Sequence, residues 1–566
     1  MGDELKGIRK GLTRYGDDDF SLYVRKAFIK AMGYTDDALE RPLIGVTNTY
    51  SGYNACHATV PQIVDAVKRG VMLAGGLPIE FPTISLHESF AFPTSMFLRN
   101  LMSMDTEEMI KAQPMDAVVL VGGCDKTIPA LLMGAASADV PAIVEVTGPM
   151  LTGTHQGERI GACTDCRRFW AKFRGGEITE CEIQELTNQL VPTAGTCGVM
   201  GTASTMALMT EAMGMMLPGG AAIPATYANR PRHAELTGKR AVAMAAEALK
   251  PSQIITPESV RNSLRVLQAV GGSTNGLIHI SAIAGRLGIN VDLHEFDSLG
   301  RDIPVLVDLK PSGKFYMEDL YRAGGLGPIL KELRNHLELD ARTISGRTLG
   351  EEIDALPVSY KQDVVRPLKD PVYEQGGMVV LHGNLAPNGA VIKQSAADPR
   401  LLTHEGRAVV FNSLDHLASC VDDPSLDVEE GDVLVLQNAG PVGAPGMPEA
   451  GYLPIPKKLA ERGVKDMVRI SDARMSGTAY GTIVLHVSPE AALGGPLALV
   501  KTGDKILLDV PGRRLELLVD DLEIAERRSN LNPYSRHEGS ERGYLNLFLR
   551  SVTQAENGCD FDFLKP

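Results

Sequence analysis

The sequence predicts an α/β fold, with an N-terminal α/β domain built on a parallel sheet and a β-barrel-like C-terminal domain. Three observations predict it. At 566 residues the chain is too long for one hydrophobic core. Its first two thirds alternate short apolar runs with amphipathic stretches, as the strands and helices of an α/β layout do. Past Pro367 the texture changes to short β-like runs split by Gly, Pro, Asn and Asp. The change falls where Pro357, Pro367 and Pro371 cluster, so the expected domains are 1–370 and 371–566.

Taken in order, residues 42–47 (PLIGVT) read as a buried strand, and 60–74 (VPQIVDAVKRGVMLA) carry apolar residues at helical spacing. Residues 79–85 read as a second strand and 92–102 as a helix. Residues 116–121 (DAVVLV) form the clearest strand pattern of the chain. A helix follows at 127–138, with Pro129 tolerated in its first turn, and then a strand at 142–146. In the second part the strand-like runs are MVVLHGNLAPNG, RAVVFNS, GDVLVLQNAGPVG, GTIVLHVS and DKILLDVPGRRLELLVD, which suit a barrel or a sandwich.

Apolar residues make up 44% and charged residues 22%, ordinary for a soluble globular chain. The net charge of −14 argues against nucleic-acid binding. The first twenty residues are polar and charged and lack a signal-peptide core. No apolar run approaches the ~18 residues that span a bilayer. A cytoplasmic protein that uses neither membrane nor nucleic acid is expected. Its eight sparse cysteines should be reduced thiols, some of them available as metal ligands.

Three cysteines fall in Gly-containing loops. Cys56 follows the first strand, Cys124 follows DAVVLV in Gly122-Gly123-Cys124, and Cys197 sits in Ala194-Gly-Thr-Cys-Gly198 before a helical stretch. In open α/β sheets ligands bind beyond the strand C-termini. Three thiolates without a fourth suit an iron–sulfur cluster with one open coordination position, which works as a Lewis acid. The spacings are long, and spacing alone does not separate such ligands from three compact buried cysteines. Glu88, Asp125 and Glu449 lie in loops where carboxylates suit Mg²⁺, and Lys126 would become an oxygen donor if CO₂ converted it to a carbamate. Read singly, the acids could equally be solvated and Lys126 could pair with Asp125. Ser476, before Gly477 in a tight turn, could present its hydroxyl to a pocket, where a neighbouring cation would make it a base.

Together these segments resemble the dihydroxy-acid and sugar-acid dehydratase family. The matching blocks are Gly123-Cys-Asp-Lys126, Gly195-Thr-Cys-Gly-Val-Met-Gly-Thr-Ala-Ser-Thr205, Gly446-Met-Pro-Glu449, Arg474-Met-Ser-Gly477 and Pro489-Glu-Ala-Ala-Leu-Gly-Gly-Pro496. They stand in family order and run from Arg41 to about Asp509. The resemblance implies that Cys56, Cys124 and Cys197 bind the cluster, carried by the parallel-sheet domain. It implies that Glu88, Asp125, carbamylated Lys126 and Glu449 hold Mg²⁺, and that Ser476, in the barrel-like domain, is the catalytic base. It implies a homodimer or homotetramer acting on a small 2,3-dihydroxy acid. Asp472-Ala-Arg-Met-Ser-Gly477 and the 93–104 segment resemble the sugar-acid branch, which implies a 2Fe–2S cluster and an aldonate substrate.

Alternatives within the same chemistry are a branched-chain dihydroxy acid or phosphogluconate. An iron–sulfur sensor would not need the acids and the serine. A thiol–disulfide enzyme would use Cys163-Thr-Asp-Cys166, but no second CxxC or His pair completes a zinc set around it, and a structural role is expected for that pair. His57 could touch substrate, yet a hydrogen-bonded structural histidine is the expectation.

Overall fold

A computed structural model describes residues 7–358, 360–532, 534 and 537–566. Its N-terminal part holds a four-stranded parallel sheet made of β1 (Leu43–Asn48), β2 (Leu77–Pro82), β3 (Ala117–Gly122) and β4 (Ala142–Val146), in the order β2-β1-β3-β4. Every residue of β3 and β4 is buried, as parallel strands covered on both faces should be. The expected strands 42–47, 116–121 and 142–146 and the helix Thr127–Ala138 are in place.

Two expectations shift. The second strand runs over Leu77–Pro82 rather than 79–85, because its ladder with β1 pairs Leu43 with Leu77 and ends where Asn48 meets Pro82. The helix expected at 92–102 spans Ser95–Ala112. Pro93 and the extended Thr94 delay its start, and its later turns bury Met102, Thr106 and Ile110 while Glu108 and Lys111 face water. A small hairpin follows the sheet, β5 (Gly153–His155) with β6 (Glu158–Ile160).

The C-terminal part is a closed barrel of eight strands. These are β7 (Val379–Gly383), β8 (Ala386–Ile392), β9 (Thr403–Phe411), β10 (Val433–Leu436), β11 (Arg469–Ser471), β12 (Ile483–Ser488), β13 (Lys505–Asp509) and β14 (Arg514–Leu517). Closure removes the exposed sheet edges and decides between the barrel and sandwich alternatives. Val379, Leu381, Ile392, Val433, Val435, Ile470, Val484, Ile506, Leu508 and Leu515 belong to its core. Each such side chain contributes roughly 1.5–3 kcal/mol on burial. The barrel is mixed: β9, β10, β11 and β12 lie parallel in succession. Parallel neighbours need long crossovers, and the β10–β11 crossover and the β11–β12 connection are the segments that carry Glu449 and Ser476. Among the described residues no helix is long and apolar enough to cross a membrane.

Candidate active site

Seven of the eight residues singled out from the sequence lie in segments that leave the C-terminal ends of parallel strands. Cys56 follows β1, Glu88 follows β2, and Cys124, Asp125 and Lys126 follow β3; Cys197 comes after the helix Glu180–Leu190, and a bridge between Thr196 and Pro149 returns its loop to the segment after β4. Glu449 follows β10 and Ser476 follows β11. The strand order reverses between β1 and β3, which pair directly. That is the switch point where open α/β sheets bind ligands.

The thiols gather there. Cys56 is the middle residue of a short 3₁₀ turn (Ala55–His57), and its amide donates to Asn54 Oδ1 at 3.1 Å. His57 shapes the floor: its Nε2 accepts the amides of Gly123 and Cys124, both at 3.0 Å, and Nδ1 lies 2.7 Å from Thr49 O. Burial pushes its pKa down to about 4, so it is a neutral structural histidine, as expected. A side chain at Gly123 would collide with Thr147 Oγ1, so only glycine lets β3 and β4 exit this closely. The neighbouring Cys124 pulls the Cys56 thiol down to about 7 against the effect of burial, with help from His87. The Cys197 loop is strung between these segments, with Thr196 N donating to Gly148 O at 3.0 Å and Gly195 N to Ala55 O at 3.3 Å.

The carboxylates form a second group. Ligand oxygens of Glu88, Asp125 and Glu449 all lie within 4.8 Å of one another, the spacing a single cation requires. Lys126, fully buried, places its ammonium among them, against Asp125 Oδ2, 3.4 Å from Glu88 and 3.8 Å from Glu449. Arg474, also fully buried, reaches over from the barrel. It donates to Glu449 Oε1 at 2.6 Å, to Glu88 Oε1 at 3.2 Å and to Thr94 Oγ1 at 2.7 Å. Burial alone would raise the Glu88 pKa. The charges of Arg474 and Lys126, with hydrogen bonds from Ser95 and Thr94, instead hold it far below the usual carboxylate range. Burial dominates at Glu449, whose pKa is raised.

Ser476 stands two residues past Arg474, which contacts the carboxylates, and just before Gly477, which packs toward the Cys197 segment. Among residues 471–479 it alone is partly exposed. Its Oγ stands 2.8 Å from Thr478 Oγ1. The loop is pinned at its start, where Asp472 accepts amides of Ala439 and Ala491 at 2.9 Å each. Thr478 O accepts Thr164 Oγ1 at 2.9 Å. A side chain on Gly477 would sit 2.5 Å from Ser273 Cβ and 2.9 Å from Thr202 N, so glycine brings the serine turn onto the Cys197 segment.

Sequence reasoning missed three neighbours. Arg474 was read only as part of a motif. His87 stands beside Cys56, whose thiol raises its pKa. Cys163, expected to be structural, has its Sγ 3.4 Å from Cys197 Sγ. Its CxxC spacing was the available signal.

The matching family models are the dihydroxy-acid/6-phosphogluconate dehydratase N-terminal domain over residues 41–352 and its C-terminal domain over 363–559. An L-arabinonate dehydratase of Rhizobium leguminosarum bv. trifolii is 48% identical over 97% of this chain and 95% of its own length. A 6-deoxy-6-sulfo-D-gluconate dehydratase of Pseudomonas putida is 44% identical over 97% and 95%. A dihydroxy-acid dehydratase of Pyrococcus abyssi is 39% identical over 98% and 99%. With both family domains matched in order and full-length relatives well above 30% identity, the chain belongs to the dihydroxy-acid/6-phosphogluconate dehydratase family.

Proposed function

We propose that this enzyme removes water from a 2,3-dihydroxy sugar acid, a five- or six-carbon aldonate, to give the 2-keto-3-deoxy acid. The observation that carries the reading is the turn that holds Ser476: it follows Arg474, which contacts Glu88 and Glu449, and it packs through Gly477 against Thr202 in the segment after Cys197. Relatives at 48% and 44% identity are named for sugar acids, and those named for dihydroxy acids stand near 39%.

Cys56, Cys124 and Cys197 are the residues that would hold an iron–sulfur cluster. The 2Fe–2S form is carried over from the sugar-acid branch that the chain resembles. Glu88, Asp125 and Glu449 suit Mg²⁺, and Lys126, as its carbamate, would replace a positive charge at their centre by a fourth oxygen donor. When bound, these groups supply Lewis acidity at the departing 3-hydroxyl and at the substrate carboxylate and 2-hydroxyl.

The protein's own part begins at Ser476. Its Oγ takes the C2 proton, the C2–H electrons form the C2–C3 double bond, and the 3-hydroxyl leaves as water after gaining a proton. The resulting enol tautomerises to the 2-keto acid. Serine is basic enough only as an alkoxide, which Thr478 Oγ–H stabilises by donating to it. Arg474 holds Glu88 and Glu449 in register across the two parts of the chain. We take the active form to be a cytoplasmic homodimer or homotetramer, with residues 1–370 and 371–566 as its two domains.

The test is a panel of three- to six-carbon aldonates, 6-phosphogluconate and branched 2,3-dihydroxy acids, given to protein reconstituted with iron, sulfide and Mg²⁺. The expected result is 2-keto acid formation fastest from five- or six-carbon aldonates. Faster turnover of the branched acids would replace this reading by the branched-chain one.

A further inference from the structure

The helix Thr164–Arg174 starts beside the thiols and beside the serine turn. Cys163, just before it, has its Sγ 3.4 Å from Cys197 Sγ. Thr164 Oγ1 donates to Thr478 O at 2.9 Å. One turn along the same face stands Arg167. Its guanidinium carbon lies 4.7 Å from the centroid of the Tyr452 ring. Tyr452 is three residues past Glu449, and its ring meets that of Tyr480, four residues past Ser476, edge to face at 6.3 Å. Arg167 is thus packed against the barrel segment that carries Glu449, next to the one that carries Ser476.

What sets Arg167 apart is the lack of a counter-charge. The other two arginines of the helix are spent within the protein. Arg168 donates to Asp165 Oδ1 at 3.0 Å and to Glu158 Oε1 at 2.7 Å, and Arg174 donates to Ile455 O at 3.1 Å and to Asp422. Arg469, which also lies over Tyr452, donates to Leu453 O at 3.1 Å and to Asp466 Oδ1 at 2.5 Å. No carboxylate among the described residues forms an ion pair with Arg167, and its Nε is enclosed without a hydrogen-bond partner. An aromatic ring holds a guanidinium in place without using its N–H donors. The side chain is therefore seated with donors still to be filled. A ligand that brings oxygen acceptors fills them, and an alkyl group leaves them desolvated and unpaired.

A 2,3-dihydroxy acid reacts through C1 to C3. Sugar acids carry further hydroxyls from C4 onward, where branched dihydroxy acids end in alkyl groups. We propose that Arg167, seated on Tyr452, binds the distal hydroxyls of the sugar acid and so sets the preference for aldonates over acids with an alkyl end. This rests on the sugar-acid reading given above. Arg167 touches no reacting atom, and its hydrogen bonds to the far end of the chain are the same before and during elimination. Loss of such bonds acts mainly on KM. Arg474 cannot take this part, because its guanidinium is committed to Glu88, Glu449 and Thr94.

The test gives reconstituted wild type, Arg167→Leu and Arg167→Lys the same two substrates, L-arabinonate and 2,3-dihydroxyisovalerate. The readout is the ratio of their kcat/KM values within each protein, which does not depend on how much of a variant is folded. Arg167→Leu should lower the preference for L-arabinonate by roughly 10–100-fold, the weight of one hydrogen bond to a charged group, and mainly by raising KM for L-arabinonate. Arg167→Lys should fall between the two. A second measurement needs no turnover. Phenylglyoxal followed by peptide mass mapping should modify Arg167 of the wild-type holoenzyme, and L-arabinonate should slow this while 2,3-dihydroxyisovalerate does not. A ratio unchanged in Arg167→Leu, or labelling of Arg167 that L-arabinonate leaves as fast as before, would overturn the inference. A wild type that favours 2,3-dihydroxyisovalerate would overturn the sugar-acid reading itself.

Discussion

The Oγ of Ser476 lies 2.8 Å from Oγ1 of Thr478, and Thr478 N points at the same oxygen from 3.4 Å. Ser476→Ala removes one oxygen from a turn whose path Gly477 sets, so folding and thiol chemistry should persist. Turnover should fall by roughly 10²–10⁴-fold, the size of a lost general base. Thr478→Val should lower turnover less and move the pH–rate profile to higher pH, since the alkoxide loses a donor. Steady-state rates and deuterium exchange at C2 check both. Near-normal turnover in Ser476→Ala would remove this residue as the base.

Chelation should silence the enzyme while the absorbance of an iron–sulfur chromophore persists, and Mg²⁺ should restore activity. Glu88→Gln and Glu449→Gln should resemble the chelated enzyme, because each takes one oxygen charge from a group whose ligand atoms lie within 4.8 Å of one another. Full turnover by metal-stripped protein would exclude a hard-cation role.

Arg474→Gln should be costly twice over. It strips the counter-charge from Glu88 and Glu449 in a site where the arginine itself is fully buried. Removing one partner of a buried ion pair costs on the order of 3–5 kcal/mol. Arg474→Lys should recover part of the stability and little of the turnover, since an ammonium cannot bridge both carboxylates as a planar fork does. Denaturant melts and turnover, measured together, check the pair.

Cys56→Ser, Cys124→Ser and Cys197→Ser should each lower iron and sulfide content and abolish turnover. Cys181→Ser and Cys420→Ser should do neither, because Cys181 is exposed and Cys420 packs at the edge of a core on the barrel side. A chromophore of unchanged intensity in Cys197→Ser would break the assignment.

His233 ties stability to pH. Its Nδ1 lies 2.8 Å from Glu145 Oε2 at the end of β4. Burial works to lower its pKa, and the Glu145 charge overcomes this and raises it. The charged imidazole therefore stabilises the fold fully below its unfolded pKa of about 6.5. That stability is lost as pH rises through the folded value. The melting temperature of wild type should exceed that of His233→Gln at pH ~6, and the gap should narrow toward pH ~9. A gap independent of pH would refute the linkage.

Much of the sheet domain was legible because β3, β4 and the helix Thr127–Ala138 are continuous buried runs, and burial on both faces is what an apolar pattern reports. β2 was displaced because its limits come from the ladder with β1, a non-local fact. The strand β11 escaped notice because it has three residues, two of them polar. Ser476 and the acids could be named because a motif carried them. Cys163 could not, because its meeting with Cys197 depends on the chain folding back across 34 residues that hold two helices, Thr164–Arg174 and Glu180–Leu190. Arg474 was within reach: it stands between the apolar Ala473 and Met475 in the motif that names the serine, where a charged side chain has to find partners.

The contact of Arg474 with Glu88 joins residues 386 positions apart. A ribosome working at about 5–20 residues per second needs roughly 20–80 s to pass from one to the other. Once Cys197 has been made, for most of that interval, the sheet part carries Glu88, Asp125 and the thiols with no complete barrel beside them. Nascent chains are thus the stage at which scavenging by stray metal ions threatens this enzyme most, and delivery of its proper inorganic partners belongs after the last barrel strand has left the exit tunnel.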